Sequence, residues 1–358
     1  MWKVHVQLYF GKDAAAYRQR FLEGNEPDES PYGFHLAQQE GFQVTFSRDG
    51  KRGVLAKIVH KLFDFDVAHA WNNVQAMRQA DMIWTITEGE AFGAALLMRL
   101  GLMPRKPIIS NAVWLLNRWA GMPRLRQAIY RSLASEIAIM TVHSDKCLPI
   151  AQRAFPKLRC ELMYFGINVG YFAITPPETS KSLVTHIVAA GNDRTRDWDT
   201  LLEAFGSDER FRLTIICQWL AASKTARHAN VVLERPLDGD ELRDLYAKAD
   251  LIAVPMQENV FSGITVALEA AAIGKPILVT RTGGVPTYFD DREVLYAPTG
   301  DPRAMRDAVL ASTPESRKAV AERAQARLLA KDYSTRGMIA RYARVSREVF
   351  DDRGIVEH

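Results

Sequence analysis

Cysteine is scarce in this 358-residue sequence, and it contains no long apolar run. The three cysteines, Cys147, Cys160 and Cys217, have an odd count and no paired-ligand spacing, which argues against a disulfide framework or a structural zinc site. No window approaches the roughly 18 to 20 uninterrupted apolar residues that a membrane-spanning helix needs. The first ten residues have the pattern of a strand and not of a signal peptide. We therefore expect a cytoplasmic protein with reduced thiols.

Acidic residues are missing from Ala91 to Ser135, although basic ones are frequent there: Arg99, Arg105, Lys106, Arg118, Arg124, Arg126 and Arg131. The first 175 residues carry 21 Lys+Arg against 15 Asp+Glu, a net +6, whereas the remainder carries 25 against 27, a net −2. The basic excess therefore belongs to the first half. Such a surface could meet anionic lipid, a pyrophosphate or nucleic acid.

The composition is that of a folded globular protein, with 47% hydrophobic and 25% charged residues. A chain of this length suits two domains. Short apolar strand patterns alternate with helix-period segments in both halves, which predicts an α/β fold of two Rossmann-like, doubly wound domains with an interdomain cleft. The predicted boundaries are an N-terminal domain at 1–173, a linker at 174–180, a C-terminal domain at 181–332 and a final helical segment at 333–358.

An apolar strand at 251–255 is followed by a polar loop and then by a helical segment at 263–273. The start of a helix presents unpaired backbone N–H groups and the positive end of the helix dipole. The start of this helical segment therefore predicts an anion site made of Ser262, Gly263, Ile264 and Thr265. An ordinary serine N-cap is the alternative for the same residues.

Two further features of the second half also suggest a ligand site. Glu269 lies in an otherwise apolar helix, so its carboxylate needs a partner; ribose hydroxyls or a structural salt bridge would both serve. Arg194 and Arg196 follow the predicted strand at 183–190 and could neutralise a diphosphate, since arginine binds phosphate oxygens bidentately. Solvated surface arginines are the alternative.

The motifs of the second half resemble those of a known family: Asp197-Trp198-xx-Leu201-Leu202-x-Ala204-Phe205, Leu242-xx-Leu245-Tyr246-xx-Ala249-Asp250, Leu268-Glu269-Ala270-xxx-Gly274-Lys275-Pro276 and Gly283-Gly284-Val285-Pro286. Together they resemble family 4 glycosyltransferases of the GT-B fold. The first half is less similar, with Asn168 where an aspartate is usual. The resemblance implies transfer of a sugar from a nucleotide diphosphate donor of UDP or GDP type, held by the second domain, to an acceptor held by the first.

The resemblance also implies individual roles. Glu269 matches the family's ribose-binding glutamate, Arg196 its diphosphate-binding lysine, and Arg235 the loop that frames the base. The partner glutamate of the family's paired motif is replaced by Phe261, so Glu258 or Asn259 would have to take its place. The final helix resembles the family segment that crosses back onto the first domain.

A transferase needs a general base that removes the proton from the hydroxyl group of the acceptor substrate. We expect this base at the end of the strand at 81–87, where Glu88 is the first candidate. Glu90 is the second, although it could instead cap the following helix. Residues predicted on the acceptor side or in the cleft are Tyr32, Gly33, His143, Gly283 and Gly284. No His, Asp or Glu cluster has metal-ligand spacing, so we expect neither a metal nor a cofactor.

We therefore expect a glycosyltransferase of bacterial surface polysaccharide or glycolipid assembly. Its basic first domain and the amphipathic segment Val54–Phe63 could hold it on the inner face of the membrane, with Trp114, Trp119, Leu115 and Leu116 among the arginines. A solvated basic face over a buried apolar one is the alternative. Two rival functions are a nucleotide-sugar epimerase of the same fold and a non-catalytic basic binding module; no nucleic-acid motif is found.

Overall fold

A computed structural model describes residues 1–50, 64–174, 184–352 and 354 of the chain. The predicted amphipathic segment Val54–Phe63 and most of the predicted linker lie outside these residues. The chain divides into two compact units, the first made of Met1–Glu23, Asp28–Tyr164 and Arg336–His358, and the second of Gly24–Pro27 and Phe165–Thr335. The predicted boundary at residue 173 thus falls inside the second unit.

The segment Gly24–Pro27 clusters with the second unit because hydrogen bonds hold it there. The backbone N–H of Gly239 donates to the Asn25 carbonyl (3.3 Å), and the Asn168 side chain donates to the Pro27 carbonyl (2.6 Å). The sequence predicted these four residues as part of the first domain. A polar, turn-rich connector carries no apolar pattern, so its tertiary partners could not be read from the sequence.

The first unit is built on a six-stranded parallel sheet with the order β2-β1-β3-β4-β5-β6. The strands β1 to β6 are Trp2–Gln7, Phe42–Phe46, Met82–Thr85, Ile108–Asn111, Ile139–Val142 and Arg159–Leu162. Strands β3 to β5 are buried throughout, because helices cover both faces of a doubly wound sheet. The order reverses between β1 and β3, which makes this a topological switch point.

The helices of the first unit, α1 to α7, are Ala14–Leu22, Val67–Asn72, Val74–Gln79, Glu88–Arg99, Leu115–Arg118, Arg124–Leu133 and Cys147–Ala154. Short 3-10 helices cover Pro31–Glu40, Trp119–Gly121 and Ala134–Glu136. Helices α2 and α3 meet at Asn73, whose side chain bonds the backbone of Arg48 (2.8 and 3.1 Å).

The second unit has a parallel sheet with the order β12-β11-β10-β7-β8-β9. The strands β7 to β12 are Thr185–Ala190, Phe211–Ile216, Val231–Glu234, Leu251–Val254, Ile277–Thr280 and Leu295–Ala297. This is the Rossmann strand order, and its switch point lies between β7 and β10. The predicted α/β fold of two doubly wound sheets is confirmed.

Helices of the second unit, α8 to α14, are Val169–Phe172, Trp198–Phe205, Ala222–Thr225, Gly239–Lys248, Ile264–Ile273, Pro302–Leu310 and Pro314–Ala330, with a 3-10 turn at Val285–Thr287. Asp197 caps α9, accepting the N–H of Thr200 (3.1 Å). A core of buried side chains, including Leu201, Leu213 and Leu251, lies between α9 and the sheet.

The last helix, α15 (Thr335–Asp352), packs almost entirely with the first unit. Tyr342 lies against Phe34 and Trp84, with ring centroids 5.4 and 5.2 Å apart, and the Trp84 indole donates to Ser346 (3.0 Å). The chain therefore returns to its first unit through an aromatic contact. Among the described residues, no helix combines the length and apolarity needed to cross a membrane.

Candidate functional site

Two loops meet at the switch point of the second sheet. The loop after β7 and the loop after β10 form a backbone bridge between Arg196 and Met256. On either side of it, the N–H of Asp197 donates to the Pro255 carbonyl (3.1 Å) and that of Gln257 to the Thr195 carbonyl (2.8 Å). Open α/β sheets bind their ligands at this place, beyond the carboxyl ends of the strands.

Helix α12 begins in the second of these loops without a side-chain cap. Gly263 is its N-cap, in the left-handed conformation with φ 92°, and among the described residues no side-chain cap hydrogen bond is formed there. The alternative of a serine N-cap is therefore wrong, because Ser262 lies one residue too early and is buried. The first turn, which includes the exposed Thr265, presents backbone N–H groups with no intrahelical acceptor. This is the geometry of an anion site.

Asn259 organises the loop that precedes α12. Its side-chain oxygen accepts the backbone N–H groups of Phe261 (3.1 Å) and Ser262 (2.8 Å), and its side-chain nitrogen donates to the Gln257 carbonyl (2.8 Å). Asn259 is thus occupied by the loop itself, which weighs against its predicted role as a substitute for the missing glutamate. Glu258 is exposed and Phe261 is half-buried.

Gly283 and Gly284 pack directly against this loop. A Cβ atom on Gly283, which has φ 67°, would lie 2.5 Å from the Ser262 carbonyl oxygen. One on Gly284 would lie 2.5 Å from the Cδ1 atom of Ile264. Both glycines are buried. The structure therefore gives them a packing role that holds the start of α12, and their predicted acceptor-side position stays a prediction.

Arg196 has a buried guanidinium group with incomplete hydrogen bonding. The residue is 5% exposed, and its Nε atom lies 3.0 Å from Asp193 Oδ2. Within the described residues, Nε and Nη1 nevertheless have no hydrogen-bond partner of good geometry. The side chain runs across Gly191, where a Cβ atom would lie 2.1 Å from Nε. A buried cation with unused donors is suited to an anionic ligand.

Arg194 differs from Arg196 in both its exposure and its ion pairing. It is exposed, and it makes no ion pair with any residue that the structure describes. Arg235 is also exposed, and its Nη1 atom donates to the Gln218 carbonyl (2.9 Å) at the end of β8. The sequence predicted all three arginines as donor-binding residues, but only Arg196 is buried at the switch point.

Glu269, on the second turn of α12, lies beside Arg196 and Tyr246. Burial raises the pKa of Glu269 to about 8, while the positive charge of Arg196 and the Tyr246 hydroxyl both favour its ionised form. Tyr246 comes from α11 and is fully buried. The sequence analysis did not predict Tyr246, Gly191 or Asp193 as site residues. The signal that could have revealed the last two is a glycine and an acidic residue directly after a buried strand.

Glu88 is the first residue of α4 and is 4% exposed. Its carboxylate accepts the backbone N–H groups of Val113 (2.8 Å), Trp114 (3.0 Å) and Leu115 (2.7 Å), which open helix α5. Burial raises the pKa of Glu88, and these hydrogen bonds oppose the rise. The geometry gives Glu88 a positioning role at the start of α5 and weighs against its predicted role as a base.

Polar side chains gather near the switch point of the first sheet. Tyr32 has a left-handed backbone with φ 57°, an uncommon conformation for a tyrosine, and Gly33 follows with φ 66°. Burial raises the pKa of Tyr32, and the neighbouring Tyr9 and Glu90 add to that rise. Glu90 also accepts a hydrogen bond from the Thr87 hydroxyl, so it belongs to the first turn of α4.

His143 follows β5 and donates from Nδ1 to the Met163 carbonyl (2.7 Å). Because a carbonyl can only accept, Nδ1 carries the proton. Burial lowers the pKa of His143 to about 4, so the imidazole is neutral at pH 7. Among the described residues, no group of three His, Cys, Asp or Glu side chains is arranged to hold a metal ion.

Comparison with known proteins agrees with this geometry. Residues 194–343 match the family described as glycosyl transferase-like, a range that contains Arg196, α12 and Glu269. The match covers 150 of the 358 residues, from the loop after β7 into the last helix, and shows that this part of the chain is glycosyl transferase-like. The resemblance predicted from the sequence motifs is thereby confirmed.

Similarity to curated relatives is confined to part of each chain. A D-inositol 3-phosphate glycosyltransferase of Corynebacterium jeikeium is 35% identical over 105 residues, which are 29% of this chain and 23% of that enzyme. The sulfoquinovosyl transferase SQD2 of Arabidopsis thaliana is 30% identical over 207 residues, 55% of this chain and 35% of SQD2. The aligned regions thus span well under half of the relatives' length.

Solved structures resemble the whole chain. HepE of Anabaena, determined with UDP and glucose, superposes with a TM-score of 0.69 at 13% identity, covering 97% of this chain and all of HepE. Sucrose-phosphate synthase of Thermosynechococcus elongatus gives a TM-score of 0.74 at 15% identity, covering 98% of this chain and all of that one. At such identities the likeness establishes the fold.

Replacing Glu88 tests its positioning role. Glu88→Ala leaves three backbone N–H groups near the start of α5 without their acceptor, so we expect the free energy of unfolding to fall by about 3 kcal/mol. The exposed Glu209→Ala is the control, with an expected change below roughly 0.5 kcal/mol. Chemical denaturation measures both. If Glu88→Ala is as stable as the wild type but loses transfer activity, the positioning role is contradicted and Glu88 is again the candidate base.

Glu269 should make stability depend on pH. Its pKa of about 8 in the folded chain exceeds its ordinary 4.5, so the folded state keeps a proton that the unfolded state has lost. The free energy of unfolding should therefore fall as the pH rises from about 4.5 to about 8, by up to about 1.4 kcal/mol per pH unit, and then level off. Thermal unfolding of wild type and Glu269→Gln across this range measures the effect; identical pH slopes would contradict it.

Proposed function

We propose that this protein is a glycosyltransferase that transfers a sugar from a nucleotide diphosphate sugar to an acceptor. The buried guanidinium group of Arg196, with unused donors beside the uncapped start of α12, is the observation that carries the proposal. A diphosphate leaving group develops negative charge as the glycosidic bond to the nucleotide breaks. A buried cation and a helix N-terminus would stabilise that charge more than they stabilise the ground state.

The rest of the second unit fits the remaining parts of a nucleotide. We infer that the carboxyl group of Glu269, which burial keeps protonated up to a pKa of about 8, exchanges hydrogen bonds with ribose hydroxyls. UDP is the first candidate nucleotide, because the structures of HepE contain UDP, UDP-glucose or UDP with glucose. GDP is the second. The reaction as proposed uses neither a metal nor a cofactor.

The first unit is proposed to bind the acceptor. Tyr9, Tyr32 and Glu90 lie close together near the switch point of its sheet, where hydroxyl and carboxylate groups could hold a sugar or polyol hydroxyl. The strained backbone at Tyr32 supports a ligand-related position, since such conformations concentrate at functional sites. Glu90 replaces Glu88 as the first candidate for the proton acceptor, because the carboxylate of Glu88 is bonded to three backbone amides.

The proposed acceptor class is a lipid-linked or surface-polysaccharide glycan, reached from an anionic membrane surface. Of the four apolar residues predicted for that surface, Leu115, Leu116 and Trp119 are buried in the first unit. Trp114 is 39% exposed. Leu125, at the start of α6, is 76% exposed and stands beside the exposed Arg124. An apolar side chain flanked by cations suits the interface of anionic lipid.

Nucleotide binding tests the transferase function directly. UDP and GDP, each at about 100 times its dissociation constant, should add roughly 2.7 kcal/mol to stability, seen as a rise in Tm. Arg196→Ala should abolish this rise while the variant remains folded. If no nucleotide stabilises the wild type, the proposal fails.

A second variant tests whether nucleotide binding depends on the position of the Arg196 guanidinium group as well as on its charge. Gly191→Ala keeps the arginine but places a methyl group where its Nε atom lies, so it should also weaken nucleotide binding. Gly121→Ala is the matched control, since no atom lies within 4 Å of its added Cβ. Sugar transfer to added acceptor then separates a transferase from an epimerase, which would interconvert donor sugars without one.

Vesicle sedimentation tests the membrane surface. The protein should pellet with vesicles containing phosphatidylglycerol and remain in solution with pure phosphatidylcholine. Arg124→Glu combined with Leu125→Ser should reduce pelleting, whereas Leu329→Ser, which alters an exposed leucine of the second unit, should not. Equal pelleting of all three proteins would exclude this surface and leave nucleotide binding unaffected.

A further inference from the structure

Trp219 is an exposed tryptophan at the carboxyl edge of the second sheet. It follows β8, and 45% of its surface is accessible. Its neighbours in sequence are buried, with Cys217 at 0% and Leu220 at 3% exposure. The segment is thus fixed in the core at both ends while the indole projects outward.

Hydrogen bonds from neighbouring strand-end loops hold this segment in place. The Trp219 indole N–H donates to the Asn192 carbonyl (3.0 Å), and the backbone N–H of Gln218 donates to the Asn192 side chain (2.7 Å). From the other side, Arg235 Nη1 donates to the Gln218 carbonyl (2.9 Å). The indole is therefore oriented before any ligand binds, and little side-chain freedom remains to be lost on binding.

The position of Trp219 relates it to the proposed nucleotide site. Strands β7, β8 and β9 are neighbours in the sheet, so Asn192, Trp219 and Arg235 lie along one edge. Asn192 belongs to the same short loop as Arg196. A nucleotide whose diphosphate bonds Arg196 can therefore extend its base along this edge.

The exposed groups at this edge have the chemistry that recognises a nucleobase. An indole ring offers a flat π surface, and every base has a π face that can stack on it. The guanidinium plane of Arg235, bonded to the same short segment, adds a cation and further donors for a base or its carbonyl groups. The exposed aliphatic side chains of the unit, such as Leu310 and Leu329, lack both properties.

We propose that Trp219 is the stacking platform for the nucleobase of the bound nucleotide, with Arg235 at its side. This inference rests on the proposed function, because it presupposes that a nucleotide binds at the second unit. Stacking tolerates different bases, so Trp219 sets affinity for the nucleoside part and leaves the choice of base to groups that bond its edge.

Calorimetric titration of UDP and of inorganic pyrophosphate tests the proposal. Trp219→Ala should weaken UDP binding by roughly 5- to 150-fold, the effect of losing one stacked base. Its affinity for pyrophosphate should change by less than roughly twofold, since pyrophosphate has no base. Trp219→Phe keeps a stacking ring and should recover most of the UDP affinity. Trp71→Ala, at an exposed tryptophan of the first unit, is the control and should bind both ligands as the wild type does.

The outcomes of this titration distinguish a failure of the Trp219 inference from a failure of the proposed glycosyltransferase function. If the wild type binds UDP and Trp219→Ala binds it equally well, the platform is excluded and the nucleotide site stands. If Trp219→Ala loses affinity for UDP and for pyrophosphate to the same extent, Trp219 serves only to hold the loops in place, and the inference is again overturned. If the wild type binds neither ligand, the proposed function itself fails.

Discussion

The buried guanidinium group of Arg196 is the constraint on which the second unit's strand-end loops depend. It can occupy its position because Gly191 has no side chain, and Asp193 is its nearest counter-charge. The backbone at Arg196 also bridges to Met256, so the same residue joins the two loops at the switch point. Burying a cation with unused donors is unfavourable unless an anion completes its contacts. The fold therefore keeps in place a group that is best satisfied by a ligand.

Glu269 and the start of α12 follow from that arrangement. The helix carries the carboxyl group of Glu269 near enough to Arg196 to be influenced by its charge, and the uncapped turn at Gly263 supplies amides close to the same loops. Gly283 and Gly284 hold this turn by close packing, and Asn259 closes the loop before it. The site is consequently made of backbone and buried side chains more than of exposed ones, which suits the proposed function, in which water is excluded from a charged leaving group.

The two units use the same architecture for different chemistry. In the second, the buried guanidinium group of Arg196 and a helix start provide positive charge, which the proposed function assigns to a diphosphate. In the first, tyrosine hydroxyls and Glu90 lie near the corresponding switch point, where Glu88 is already bonded to the start of α5. Each sheet thus presents a polar cluster close to the ends of its reversing strands. The two clusters differ in charge, which agrees with the donor and acceptor roles proposed for the two units.

The sequence by itself determined the alternation of strands and helices, the positions of the strand-end loops, and Glu269 as a carboxylate in an apolar helix. These features depend on local periodicity and on turn residues, which are readable over a few positions. Only the tertiary structure decided which polar groups remain available. Glu88 is bonded to amides about 25 positions away, Asn259 is occupied by its own loop, Gly283 is buried against Ser262, and Trp219 is held by Asn192. Such outcomes depend on contacts between distant segments, and no local pattern encodes them.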